Sequence, residues 1–123
     1  MQIIRVTGKR TLNQFYKIPH LIYKDDPKWV SPLRSMHEDI FNPKKNSGFK
    51  NGDACRWIAI KDKEVVGRIA AFYEHELTNS YDQPTGCVGF FECINNKEVS
   101  ILLFDTARDW LKSEGMQAMD GPV

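Results

Sequence analysis

No apolar run in this sequence approaches the ~18 residues that a transmembrane helix requires. The opening ten residues, MQIIRVTGKR, hold only two consecutive isoleucines, so no secretory hydrophobic region is expected. Cysteine is scarce: Cys55, Cys87 and Cys93 form no CxxC pair. An odd count without a signal peptide predicts free thiols in a reducing cytoplasm. Histidine is scarcer in useful positions. His20 and His37 fall on separate predicted helices without metal-ligand spacing, so no metal site is expected. His75, between Glu74 and Glu76, reads as a solvated loop residue, with a base or ligand as the alternative. Net charge is only +1, which gives no reason to expect nucleic acid or a membrane as partner. Lys44, Lys45, Phe49 and Lys50 are the sole approach to the basic–aromatic interleaving of a nucleic-acid surface, and they read as a solvated loop.

What is present suits one folded domain. The chain has 123 residues, 41% hydrophobic and 27% charged, a globular composition. Its charge is unevenly spread. Residues 1–50 sum to +6 and residues 51–123 to −5. Two readings follow: the halves face each other within one fold, or the basic half recruits a phosphorylated ligand.

Hydrophobic spacing gives an order of elements. Ile3 to Val6 is a β-branched run stopped by Gly8, a first strand. Thr11 to Gln14 reads as a capping box, and Leu12, Phe15, Ile18 and Ile22 keep helical spacing. Pro19 predicts two short helices or one kinked helix there. Leu33, Met36, Ile40 and Phe41 mark a second helix. Cys55–Ile60 and Val65–Glu74 form a hairpin with a four-residue loop. Gly86–Ile94 is a third strand of that group, apolar except for Glu92. Asn95 caps a long helix that ends at Glu114 before Gly115. Its stripe of Val99, Leu102, Leu103, Thr106, Ala107, Trp110 and Leu111 faces a core. Met116–Asp120 closes as a strand. The order β-α-α-β-β-β-α-β predicts a mixed α+β fold: a mostly antiparallel sheet, with a parallel pair flanking the long helix by right-handed crossover.

This order, with the segments LIYKDDPKWVSPL, HEDIFNPKKNSGF, VVGRIAAF, VGFFECINNKEVS and MDGPV, resembles the GNAT N-acetyltransferase superfamily. The resemblance implies that residues 1–123 are one GNAT-like domain, incomplete because the family's closing helix and two strands would follow. It implies acetyl transfer from acetyl-CoA to an amine, with acyl-CoA and that amine as partners. The alternative is a non-catalytic GNAT-like module that binds a ligand or partner. Family members place a glycine-bearing pyrophosphate loop between the fourth strand and the long helix. The matching segment here runs from Asn95 to Ser100 and has no glycine. The implied cofactor-binding residues are Cys93, Ile94, Asn95, Asn96, Lys97, Val99 and Ser100. Glu98 stands where a glycine would, and it also reads as a reciprocal cap at the helix start.

Glu92 is the candidate general base. A carboxylate on an otherwise apolar strand face is expensive to bury unpaired, and such groups accept protons from amines. Alternation puts it on one face with Val88, Phe90 and Ile94. The other reading is a pair with Arg56 or Arg68. Backbone N–H groups near Cys93 and Ile94 are the candidate oxyanion donors, and Cys93 itself reads as a small core residue. An incomplete sheet predicts a homodimer through the C-terminal edge, using Met116, Met119, Val123 and part of the Cys87–Ile94 strand, or else aggregation.

Overall fold

A computed structural model describes residues 1–25, 52–74 and 85–121. The predicted helix around Met36, the loop around Lys44, His75 and Val123 lie outside the described residues. The elements are β1 (Gln2–Arg5), α1 (Lys9–Ile22), β2 (Gly52–Lys61), β3 (Glu64–Glu74), β4 (Thr85–Cys93), α2 (Lys97–Ser113) and β5 (Ala118–Asp120). The strands form one sheet in the order β1-β2-β3-β4-β5. Neighbours are antiparallel except β4 and β5, which are parallel and joined through α2.

The β2–β3 connection is tighter than its composition suggests. Lys61 already pairs with Glu64, so only Asp62 and Lys63 turn, with φ of 52° and 68°. Two positive φ values match the twist of the flanking strands, as in a type I′ turn.

Among the described residues, each face of the sheet carries one helix. Val99, Leu103, Ala107 and Leu111 of α2 pack on Cys55, Trp57, Ile69, Ala71 and Val88. Leu102 and Trp110, expected in the same stripe, lie at its margins, and Leu102 is exposed. Close approach here depends on missing side chains. A Cβ on Gly67 would stand 2.8 Å from Leu103, and one on Gly86 would stand 2.5 Å from Leu111. Phe15 and Tyr16 of α1 cover Ile58 and Ala70 on the opposite face.

α1 is one helix, with Pro19 buried inside it. It starts earlier than its polar pattern predicts. Gly8 is the N-cap, and Thr11 is three residues into the helix, where its Oγ1 accepts from the N–H groups of Thr7 and Gly8. The threonine therefore supplies the reaching-back half of a capping box. α2 likewise starts one residue later than expected. Asn96 is the cap, because its side chain reaches the N–H groups of Glu98 and Val99.

Candidate functional site

β4 is the strand on which the site is built, and its regular alternation is broken. Ala70 pairs with Gly89, but Arg68 pairs with Glu92, so β4 holds one more residue than β3 across this interval. Phe90 takes up the difference at a φ of 55°. Such a bulge bends the strand and re-aims its side chains. Val88 therefore packs on the α2 side while Phe90 packs on the α1 side. The expected single face of Val88, Phe90, Glu92 and Ile94 does not exist, because the inserted residue reverses the alternation.

Glu92 is half-buried and meets the tail of α1. Tyr23 donates from its hydroxyl to Glu92 Oε2 at 2.8 Å. Arg68, the cross-strand partner of Glu92, is only 4% exposed. It donates from Nη1 to the Phe15 carbonyl at 3.1 Å. Its guanidinium lies 4.7 Å from the Phe15 ring centroid and 5.8 Å from that of Phe90, within cation–π range. Nε is buried and has no acceptor among the described residues. Burial pulls the Arg68 guanidinium below its ordinary value, and the facing Glu92 charge opposes that pull. Arg56 instead donates to the Tyr16 hydroxyl at 3.3 Å.

Beside this pair is an open cleft of about 680 Å³, where the end of β4, the C-terminal turn of α1 and the first turn of α2 converge. It is lined by Leu21, Ile22, Phe91, Cys93, Ile94, Asn95, Asn96 and Ser100. Five of the sequence-predicted residues thus meet in one place: Cys93, Ile94, Asn95, Asn96 and Ser100. Lys97 is exposed on the first helical position, and Val99 is fully buried in the core. Leu21, Ile22 and Phe91 escaped notice because lone apolar residues at element ends carry no motif. Tyr23 escaped because its role depends on a residue far away in sequence, whereas Arg68, expected as a possible partner of Glu92, does face it across the strands.

Two chemical expectations change. The Ile94 N–H donates to the Val66 carbonyl at 3.0 Å, so it is not a spare oxyanion donor. The Cys93 thiol donates to the Asn96 carbonyl at 3.9 Å, and burial pushes its pKa up. That favours the thiol over the nucleophilic thiolate. Among the described residues no group of three or more His, Cys, Asp or Glu is placed to hold a metal ion.

The α2 N-terminus can be tested directly against a coenzyme A pyrophosphate. Asn96 Oδ1 accepts from the Glu98 N–H at 3.0 Å and the Val99 N–H at 3.3 Å. The Asn96 carbonyl accepts from the Ser100 N–H at 3.2 Å. Three of the N–H donors at this end are engaged, and Glu98 puts an acidic residue in the same first turn. The residues present do not fit that group.

Comparison with solved structures decides the fold. The aminoglycoside N-acetyltransferase AAC(6')-Iy, in complex with a bisubstrate analogue of CoA, superposes with a TM-score of 0.67 at 15% identity, covering 99% of this chain and 78% of that one. AAC(6')-IG from Acinetobacter haemolyticus gives 0.67 at 16% identity, covering 98% and 79%. This chain has the GNAT acetyltransferase fold. A tandem GNAT protein from the clavulanic acid biosynthesis pathway gives 0.66 at 14% identity, covering 92% of this chain and 33% of that protein. No family model matches the sequence. Among curated proteins, Protein YghO of Escherichia coli K12 is 33% identical over 115 residues, covering 94% of this chain and 29% of that protein. A bacterial ceramide synthase of Caulobacter vibrioides is 28% identical over 127 residues, covering 99% and 32%. The GNAT-fold chain thus spans about a third of the length of these two relatives. No helix among its described residues is long and apolar enough to cross a membrane.

Proposed function

We propose that this chain forms the donor side of an N-acyltransferase, which moves an acyl group from a pantetheine thioester to an amine. The observation that carries the reading is the cleft at the end of β4, whose lining residues Phe91 and Cys93 flank Glu92 in sequence, with Glu92 itself hydrogen-bonded to Tyr23. As the amine attacks the thioester carbonyl, the C–N bond forms and the C–S bond breaks; on this reading Glu92 takes the amine's proton and the released pantetheine thiolate takes it up in turn.

The comparisons support the reaction class. AAC(6')-Iy binds an analogue that joins CoA to an acetylneamine, and the Caulobacter relative is named for ceramide, an N-acylated amine. The acyl group on this reading is carried by a pantetheine thioester, and the α2 N-terminus gives no support for coenzyme A as its bearer. A non-catalytic ligand-binding module is the second reading, favoured by the engaged donors at the α2 N-terminus.

The test is amide formation by the purified chain. Acetyl and octanoyl thioesters of both pantetheine and coenzyme A are offered with an aminoglycoside, a polyamine and a sphingoid base, and products are read by mass spectrometry. Amide from at least one pair is expected, with Glu92→Gln slower by about 100-fold or more. Thioester binding with no amide from any pair would leave the module reading in place.

A further inference from the structure

The engaged α2 N-terminus has a counterpart on the other wall of the cleft. From Lys9 to Lys24 the sequence contains no Asp or Glu, but it contains Lys9, Arg10, Lys17 and Lys24. All four are exposed. At 100° per residue, Lys9, Arg10 and Lys17 fall within one arc of α1, opposite the buried Phe15. The strip leads to the cleft. Lys17 is one turn before Leu21, and Lys24 follows Ile22 by two residues; both Leu21 and Ile22 line the cleft. Leu21 is itself 44% exposed, so an apolar rim adjoins the cations. The cleft therefore has a wall unsuited to a nucleotide pyrophosphate and a wall suited to a broad anionic surface.

Coenzyme A delivers its pantetheine arm on a nucleotide. An acyl carrier protein delivers the same arm through one phosphodiester on its own acidic surface. We propose that the donor reaches this cleft as an acyl-phosphopantetheine arm borne by an acidic carrier protein that docks on the basic face of α1. The proposal rests on the acyltransferase reading of the same cleft. Charge complementarity of this kind raises the association rate and makes binding salt-dependent. The arm then needs only the apolar lining of Phe91, Ile94, Leu21 and Ile22, and Asn96 stays in place as the helix cap.

The test measures binding by the whole chain. A fluorescently labelled bacterial acyl carrier protein is titrated with and without its phosphopantetheine arm, at low and high salt. Free 4'-phosphopantetheine and coenzyme A are titrated in parallel. The expected result is that the arm-bearing carrier binds more tightly than the armless one and weakens about tenfold at high salt. The variant Arg10→Glu/Lys17→Glu should lose about tenfold in carrier affinity while keeping its circular dichroism and its affinity for phosphopantetheine. Coenzyme A should bind no better than phosphopantetheine.

Unchanged carrier binding by the charge-reversed variant would overturn the proposal. So would coenzyme A binding tenfold or more tightly than phosphopantetheine, though that result would leave the acyltransferase reading intact. Sedimentation with phosphatidylglycerol vesicles, without carrier binding, would reassign the basic face to a lipid surface. If neither the arm, nor coenzyme A, nor the carrier binds, the acyltransferase reading falls as well.

Discussion

Arg68 donates to the Phe15 carbonyl across 3.1 Å, and Phe15 is the residue whose helical partner Pro19 removes. In a regular helix the N–H of residue 19 would bond that carbonyl, but proline has no N–H. The buried guanidinium from β3 takes its place, so α1 continues through Pro19 to Ile22. Arg68→Met should cost about 1–3 kcal/mol by orphaning the buried carbonyl. The loss should be smaller in a Pro19→Ala background, where the helix supplies its own donor. A double-mutant cycle by urea unfolding measures the coupling; additive losses would break the link between these residues.

Close packing of α2 at Gly86 gives a second outcome. Its Cβ position stands 2.5 Å from Leu111, which is fully buried. Gly86→Ala should destabilise by about 1–3 kcal/mol through overpacking. Leu111→Val should recover part of that loss in the double variant. Equal costs in both backgrounds would show that the helix shifts freely.

Cys55 gives a pH signature. Desolvation by burial pushes its pKa from 9.0 up to about 11. The unfolded thiol therefore ionises first, and above pH 9 the native state holds more protons than the unfolded state. This thiol's contribution is fully present below pH 9 and is lost as the pH rises towards about 11. Wild type should accordingly lose stability relative to Cys55→Ala across that window in chemical denaturation. A gap that is constant from pH 8 to 11 would contradict the assignment.

At the sheet's C-terminal edge, the two methionines once grouped as interface residues part company. Met116 is 8% exposed and packs in the α2 core, whereas Met119 is 37% exposed on β5. β5 pairs on one side with β4 and ends the described sheet. Unpaired strand edges promote association, and we propose that edge as the self-association surface. Met119→Lys should reduce any light-scattering mass increase across a concentration series. Met116→Ala should instead lower the melting temperature, with a cost of about 2–5 kcal/mol.

Local pattern sufficed for the parts of this protein that are set by periodicity. The i, i+4 series Val99, Leu103, Ala107 and Leu111 announced α2 and its buried face, because a helix needs one apolar stripe to dock. The run from Gly86 to Ile94 announced β4, and the strand–helix–strand order announced the parallel pair. The residues from Cys93 to Ser100 drew attention as the strand-to-helix junction, and five of them do line the cleft. Tertiary structure decided the rest, for reasons that no window of sequence contains. The bulge at Phe90 arises from the register between β3 and β4, and it determines which face Glu92 occupies. The continuity of α1 depends on a donor 53 residues away, so Pro19 alone points to a break. The Tyr23–Glu92 hydrogen bond spans 69 residues. Periodicity shows which face of an element is apolar; only the folded chain decides which distant group meets a particular oxygen.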